Sequence, residues 1–274
     1  MTLPAPAPVY YSRRLRTYLA DLWERREFIW FLAMGNFKAR NASTALGLFW
    51  WVLNPLLLSL VYYVVFGLIF PAGRDILYLT SGMFVFHFTA QSLTGGANAV
   101  LQNAKLLANL RFPRIILPIA NLLESALGFV VSLGLIVVLA LLTDGRLPDW
   151  RIFLLLVAVP LQFFFNLGLG CITARLAVPF RDVNNFVPYL TRIWLYLSPI
   201  IWPLSFLESD AGRLLARFES FNPMYSIIAV YRTALLGYPL DPASLLGFAA
   251  WAVGLGILGI GLFVKYEGNI VRYL

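Results

Sequence analysis

Histidine and cysteine are nearly missing from this chain of 274 residues; each occurs once, as His87 and Cys171. A single cysteine allows no disulfide within the chain. A single histidine excludes metal sites that need two or more. Charge is scarce too, at 12% of residues, where a soluble domain carries about 25%. No lysine follows a glycine: Lys38, Lys105 and Lys265 come after Phe37, Ala104 and Val264. A Walker A phosphate loop is therefore excluded, and nothing points to ATP hydrolysis by this chain. The acidic residues are scattered and form no D-x-D, which speaks against metal-diphosphate chemistry at a membrane surface. Met1 is followed by prolines rather than by a basic and then apolar signal, so the first apolar segment is expected to be retained.

What is abundant is apolar surface. The residues are 60% hydrophobic and the mean hydropathy is +0.78, values of an all-α polytopic membrane protein. The net charge of +8 then reads as basic loops facing the cytoplasm and anionic lipid, not as a nucleic-acid surface.

The organising stretch is Phe37–Pro55, FKARNASTALGLFWWVLNP. Lys38 and Arg40 stand just outside a bilayer, and Trp50 and Trp51 suit the headgroup level. Leu46–Phe70 carries no charge and is long enough to span a core that needs about 20 helical residues. Asn54-Pro55 predicts a bend near its start. Upstream, residues 1–12 with Pro4, Pro6 and Pro8 read as a mobile tail. Arg13–Phe37 reads as an amphipathic helix, within an arm of residues 13–45 that lies in the cytoplasmic interface or packs on a partner protein.

Five more apolar segments follow: Ile76–Asn98, Ile115–Thr143, Ile152–Ala174, Phe186–Leu204 and Leu245–Val264. Six spans put both termini on one side. The basic residues choose that side. The arm, the loops 99–114 and 175–185, and the tail hold most of the Lys and Arg. The opposite loops hold Arg74, Arg146, Arg151, Arg213, Arg217 and Arg232. Both termini are thus expected in the cytoplasm. Residues 206–242 contain LLARF and NPMYSIIAVYRTALLGYP, both too short to span, and read as re-entrant or interfacial helices on the outer side. No internal repeat marks an inverted-repeat transporter.

Gly254, Gly256 and Gly259 fit G-x-G-x-x-G, but they lie inside an apolar span with no preceding strand. Helix packing explains them better than a dinucleotide. Asn41-Ala42-Ser43 is a sequon that a cytoplasmic position would leave unmodified. His87, in FVFHFTAQ, reads as a hydrogen-bonded polar residue rather than a base. Glu124 and Arg192 are charges well inside spans, where each costs about 2.5–3.5 kcal/mol. They read equally as a mutual ion pair or as substrate contacts. Tyr62, Phe66 and Phe70 recur every four residues on the first span, and Tyr189, Arg192 and Tyr196 share a face of the fifth. Such faces suit sugars, whose rings offer C–H groups and whose edges offer hydroxyls, or they are ordinary packing. Asn103–Arg111 reads as one short helix ended by Phe112-Pro113. Its Leu106, Leu107 and Leu110 form a face for a partner's groove or for the bilayer interface, flanked by Lys105 and Arg111.

Four stretches together resemble the membrane subunit of ABC-type polysaccharide exporters, the permeases of O-antigen and teichoic acid export. They are NFKARNASTALGLFWWVLNPL (Asn36–Leu56), NAKLLANLRFPRIILP (Asn103–Pro118), FRDVNNFVPYLTRIWLYLSPIIWP (Phe180–Pro203) and FNPMYSIIAVYRTALLG (Phe221–Gly237). The resemblance implies a homodimeric channel bound to two nucleotide-binding subunits, which would hold the ATP and magnesium. It implies a polyprenyl-diphosphate-linked glycan as substrate and a bacterial inner-membrane location. By the same resemblance Asn103–Arg114 is the coupling segment, and the first and fifth spans line the channel. Arg192 stands where the family pattern expects an uncharged residue, and its role is open. A drug or lipid exporter of the same architecture, or a membrane enzyme acting on lipid-linked sugars, are the competing readings.

Overall fold

The computed structural model describes residues 15–41, 46–69, 75–145, 149–202, 219 and 221–272. All regular structure among these residues is helical. Helices α1 (Leu15–Glu24) and α2 (Arg26–Asn41) precede α3 (Trp50–Ile69), α4 (Ile76–Gln102) and the short α5 (Ala104–Asn109). Then come α6 (Ile116–Asp144), α7 (Leu155–Ala177), α8 (Val183–Leu197), α9 (Pro223–Leu236) and α10 (Pro242–Tyr266). Single 3-10 turns, Gly47–Phe49, Trp150–Leu154 and Glu267–Arg272, lead into α3, lead into α7 and follow α10.

Among the described residues, three helical stretches are both long and apolar enough to cross a membrane: Ile116–Thr143, Trp150–Ala177 and Pro242–Tyr266. The other three expected spans differ in character. Helix α3 has 20 residues and no charge. Helix α4 has 27 residues, but Thr80, Ser81, His87, Thr89, Gln91, Ser92 and Asn98 dilute it. Helix α8 has only 15 residues and is strongly amphipathic. At 1.5 Å per residue it covers about 22 Å of a hydrocarbon core of about 30 Å.

Several boundaries differ from expectation. The arm is two helices, not one, and they meet at Arg25. There the Arg26 guanidinium donates to the Trp23 carbonyl (3.2 Å) and closes the last turn of α1. Helix α3 runs through Pro55 without a break, and the Ser59 hydroxyl donates to the Pro55 carbonyl at 2.7 Å. The helix of the fifth apolar segment ends at Leu197, not Leu204, because the chain becomes extended at Ser198-Pro199. Of the expected outer pair, LLARF and the tail 1–12 lie outside the described residues. PMYSIIAVYRTALL forms α9, and neighbouring helices enclose its Met224, Ile227, Tyr231 and Ala234, as a re-entrant rather than an interfacial helix requires.

Helix α7 is the axis of the bundle, packed most extensively against α10 and α4. Glycines set the spacing. A Cβ on Gly168 would fall on the Leu255 carbonyl, and one on Gly259 would fall on the Gly168 carbonyl. A Cβ on Gly96 would meet the Gly170 backbone. Two glycines of the G-x-G-x-x-G pattern, Gly256 and Gly259, are thus packing residues. Gly254 faces open space. Polar bonds tie the same seam: Gln162 Nε2 donates to the Val85 carbonyl (3.0 Å) and Thr89 Oγ1 (3.1 Å), and Thr173 Oγ1 donates to the Leu93 carbonyl (3.0 Å).

Two larger apolar clusters fill the bundle. One centres on Phe84, Phe88, Phe129, Phe165, Tyr231 and Phe248, with Phe88 and Phe129 stacked at 4.5 Å. The other gathers Tyr18, Ile29, Leu107, Phe112, Ile116 and Phe263 at the end where the two terminal segments meet. The opposite end is where α4, the Trp150–Leu154 turn, α9 and α10 begin. Each start is capped by a side chain: Asp75, Asp149, Asn222 or Asp241.

Candidate functional site

The first component is an open face on α3 and α8. Tyr62 on α3 and Tyr196 on α8 are within hydrogen-bond distance through their hydroxyls (3.2 Å), with rings edge to face at 6.4 Å between centroids. The structure thus joins two residues that lie 134 positions apart and were expected to act together. Tyr189, Arg192 and Tyr196 recur at three and four residues and are all exposed, as are Phe186 and Ile193. On α3, Leu57, Leu58, Leu60, Val61, Val64 and Val65 are exposed as well. Phe66 follows Tyr62 by one turn on α3, while Phe70 lies outside the described residues. The opposite face of α8 buries Val187, Thr191 and Leu195. Amphipathicity alone therefore orients this helix, with tyrosines and an arginine turned away from the chain's own core.

Glu124 and Arg192 are not brought together. Glu124 is buried on α6, at 4% exposure, whereas Arg192 points outward from α8. Helix α8 packs on α4 and α7, and α6 is not among its main neighbours. The expected ion pair does not form, so Arg192 belongs to the open aromatic face.

The second component is the segment between α4 and α6. Its helix is Ala104–Asn109, shorter than the expected 103–111, because Leu110 already has extended backbone. Of the three leucines expected on one docking face, Leu107 is buried in the chain's own core and Leu106 packs beside it. Leu110 is half exposed, and Lys105 and Arg111 are exposed. The outward surface is therefore Lys105, Leu110 and Arg111. The leucines at 106 and 107 anchor the helix instead, since six residues have too little length to stand without tertiary packing.

Two knots fix these components, and neither was expected. At the terminal end, the Tyr18 hydroxyl donates to Glu267 Oε2 at 2.9 Å. Arg114, just past α5, donates to the Glu267 backbone carbonyl. The Phe28 and Phe112 rings meet edge to face at 5.4 Å. The first helix, the segment between α4 and α6 and the last turn are thereby fastened to one another. Burial raises the Glu267 carboxyl above its ordinary value, while the Tyr18 hydroxyl and Arg114 act in the opposite sense.

At the capped end, Asn222 caps α9 (3.1 Å to the Met224 amide) and accepts from Trp194 Nε1 of α8 (2.9 Å). It also donates to Ser198 Oγ (3.1 Å). Arg232 is buried, with its guanidinium 3.3 Å from the Tyr78 ring centroid and a bond of 3.1 Å to the Tyr78 carbonyl. The Tyr78 hydroxyl in turn donates to the Trp202 carbonyl at 3.2 Å. The signal for Asn222 was present in the sequence: Asn-Pro before an apolar run is a helix start with proline at its first position. Arg232 gave no such signal, since a buried arginine and a loop arginine look alike in a sequence.

Among the described residues, the bundle holds helices long and apolar enough to cross a membrane. The ABC-2 type transporter family model matches residues 27–236, from α2 through α9. The chain belongs to that family, and it is a transport permease rather than an enzyme. Membership carries a membrane location and an ATPase partner. It is similar to the "O-antigen export system permease protein RfbA" of Myxococcus xanthus, 31% identical over 238 residues, which is 86% of this chain and 90% of that protein. Two proteins of the same description from Klebsiella pneumoniae are 28% and 26% identical over 245 and 243 residues. Each alignment covers 87% of this chain and 92% of the relative.

Proposed function

We propose that the chain is the channel-forming subunit of an exporter that moves a lipid-linked polysaccharide, of the O-antigen or teichoic acid kind, across the bacterial inner membrane. In this reading α3, α4 and α8 complete six spans with α6, α7 and α10, and the terminal end faces the cytoplasm. Two copies face each other across the α3–α8 faces, and two ATP-hydrolysing subunits, carrying the ATP and magnesium, dock at the cytoplasmic side. The carrier is a polyprenyl diphosphate. The names of the relatives, at 26–31% identity over most of the chain, support the cargo.

The observation that carries the reading is the Tyr62–Tyr196 pair on an otherwise open aromatic face. Lipid-facing surface has no use for phenol hydroxyls or an arginine at this depth, because each is costly in hydrocarbon. A hydrated corridor has such a use. Ring faces meet the C–H groups of sugars, and hydroxyls exchange bonds with sugar edges without demanding one sequence. The force must arrive through contact, and Lys105, Leu110 and Arg111 are the outward groups of the segment that Arg114 ties to the rest of the chain.

The test is export in cells that depend on this chain. Replacing Tyr62, Tyr189 and Tyr196 together by alanine is expected to leave the assembled complex intact and to lower surface glycan at least tenfold. Normal glycan display from the folded triple variant would return this face to packing.

A further inference from the structure

Two cations at the terminal end converge on one ring. The guanidinium of Arg175, in the last turn of α7, is 5.2 Å from the Tyr266 ring centroid, and Lys265 Nζ is 5.5 Å from the same centroid. Neither makes an ion pair among the described residues. The nearest carboxylate in sequence, Glu267, is engaged by Tyr18. Like charges gathered from two helices repel each other unless an anion joins them.

We propose that Arg175, Lys265 and Tyr266 hold the phosphate of an anionic glycerophospholipid. The inference rests on the cytoplasmic placement of this end only for the choice of leaflet. Basic pockets between spans on that side suit anionic headgroups, and tyrosine suits the interface, with a face for cations and a hydroxyl for the phosphate. The chain also provides a track for the acyl tails. Gly254, Leu258, Gly261 and Lys265 follow one another at four, three and four residues along α10, and all are exposed. Nothing lies within 4 Å of a Cβ placed on Gly254 or Gly261, so the helix surface beneath the cations is smooth. Leu176 and Leu262, both exposed, border it. Helix α10 packs on α7 and α9, away from the α3–α8 face, which assigns the site to bilayer lipid rather than to the cargo's diphosphate. Tyr266 immediately precedes Glu267, so a bound phosphate would brace the knot that holds the first helix and the segment before α6.

The test is native mass spectrometry of the full-length purified protein with added phosphatidylglycerol or phosphatidylcholine. Phosphatidylglycerol is expected to bind at least tenfold more tightly. Lys265→Gln, at an exposed position, should weaken it about fivefold, and Arg175→Gln with Lys265→Gln about 30-fold, with phosphatidylcholine unaffected. Tyr266→Phe should retain more binding than Tyr266→Ala. Equal phosphatidylglycerol binding by Lys265→Gln and the parent protein would overturn the site. So would displacement of the lipid by equimolar undecaprenyl diphosphate, which would assign the cations to the carrier. The assay reads lipid binding without transport, so its failure leaves the export reading standing, and an export failure leaves this one standing.

Discussion

Helices α4, α7 and α10 and the pair α3 and α8 are built on opposite terms. The first group closes within one chain. Its glycines let backbones touch at Gly168, Gly259 and Gly96, and Gln162 and Thr173 place their donors on α4. The second group closes only on its inner side. Its outer side leaves tyrosines and an arginine exposed beside aliphatic residues. The first group is therefore a scaffold sensitive to volume, and the second is a face sensitive to chemistry.

The sharpest way to break that contrast is at the glycines. Gly168→Leu or Gly259→Leu forces apart backbones that are in contact, a cost of at least the 1–3 kcal/mol of ordinary overpacking. Neither variant is expected to accumulate as folded protein, whereas Ile193→Leu on the open face should accumulate normally. Size-exclusion profiles of the purified chains check this.

Next in size is Arg232. Replacing it with leucine removes the bond to the Tyr78 carbonyl and the cation over the Tyr78 ring. A loss of about 2–4 kcal/mol in stability is expected, read as a lower melting temperature in detergent. Arg192→Leu, on the open face, should shift melting by less than about 0.5 kcal/mol.

The segment before α6 separates the two terms within six residues. Leu107→Asp puts a charge into the core and should destroy folding. Leu110→Asp, at an exposed position, should leave folding intact and lose the ATPase subunit on purification. Equal behaviour of the two would deny the division between anchor and docking surface.

The smallest effect concerns Glu267. Its carboxyl is raised above the ordinary 4.5, so the folded chain holds that proton more readily than the unfolded one. The stabilisation is greatest below the ordinary value and declines as pH rises through the raised one. Glu267→Gln should flatten that part of the melting-against-pH curve, while Asp241→Asn should not. The Ser244 hydroxyl and the amides at residues 243 and 244 hold Asp241 below its ordinary value, so its contribution falls on acidification instead.

The helices themselves were legible in the sequence, because apolar runs of this length have few alternatives. The starts of α4 and α10 fell within a few residues of expectation. The end of α8 was not legible, since the apolar run continues through Ile200 and Ile201 while the backbone changes at Ser198. Nor was the burial of Leu107: periodicity groups Leu106, Leu107 and Leu110, but only tertiary packing decides which of them face the chain. The Tyr62–Tyr196 pair was legible as two aromatic faces, though not as one contact. The Tyr18–Glu267–Arg114 knot joins the two ends of the chain and left no local trace.

The most direct measurement is cross-linking between copies in the membrane. In a chain with Cys171→Ala, Ile193→Cys on the α8 face should form a disulfide between protomers under mild oxidation, and Leu246→Cys, on the exposed side of α10, should not. Cross-linking at Leu246→Cys with none at Ile193→Cys would contradict the account, because the open α3–α8 face would then lie against lipid.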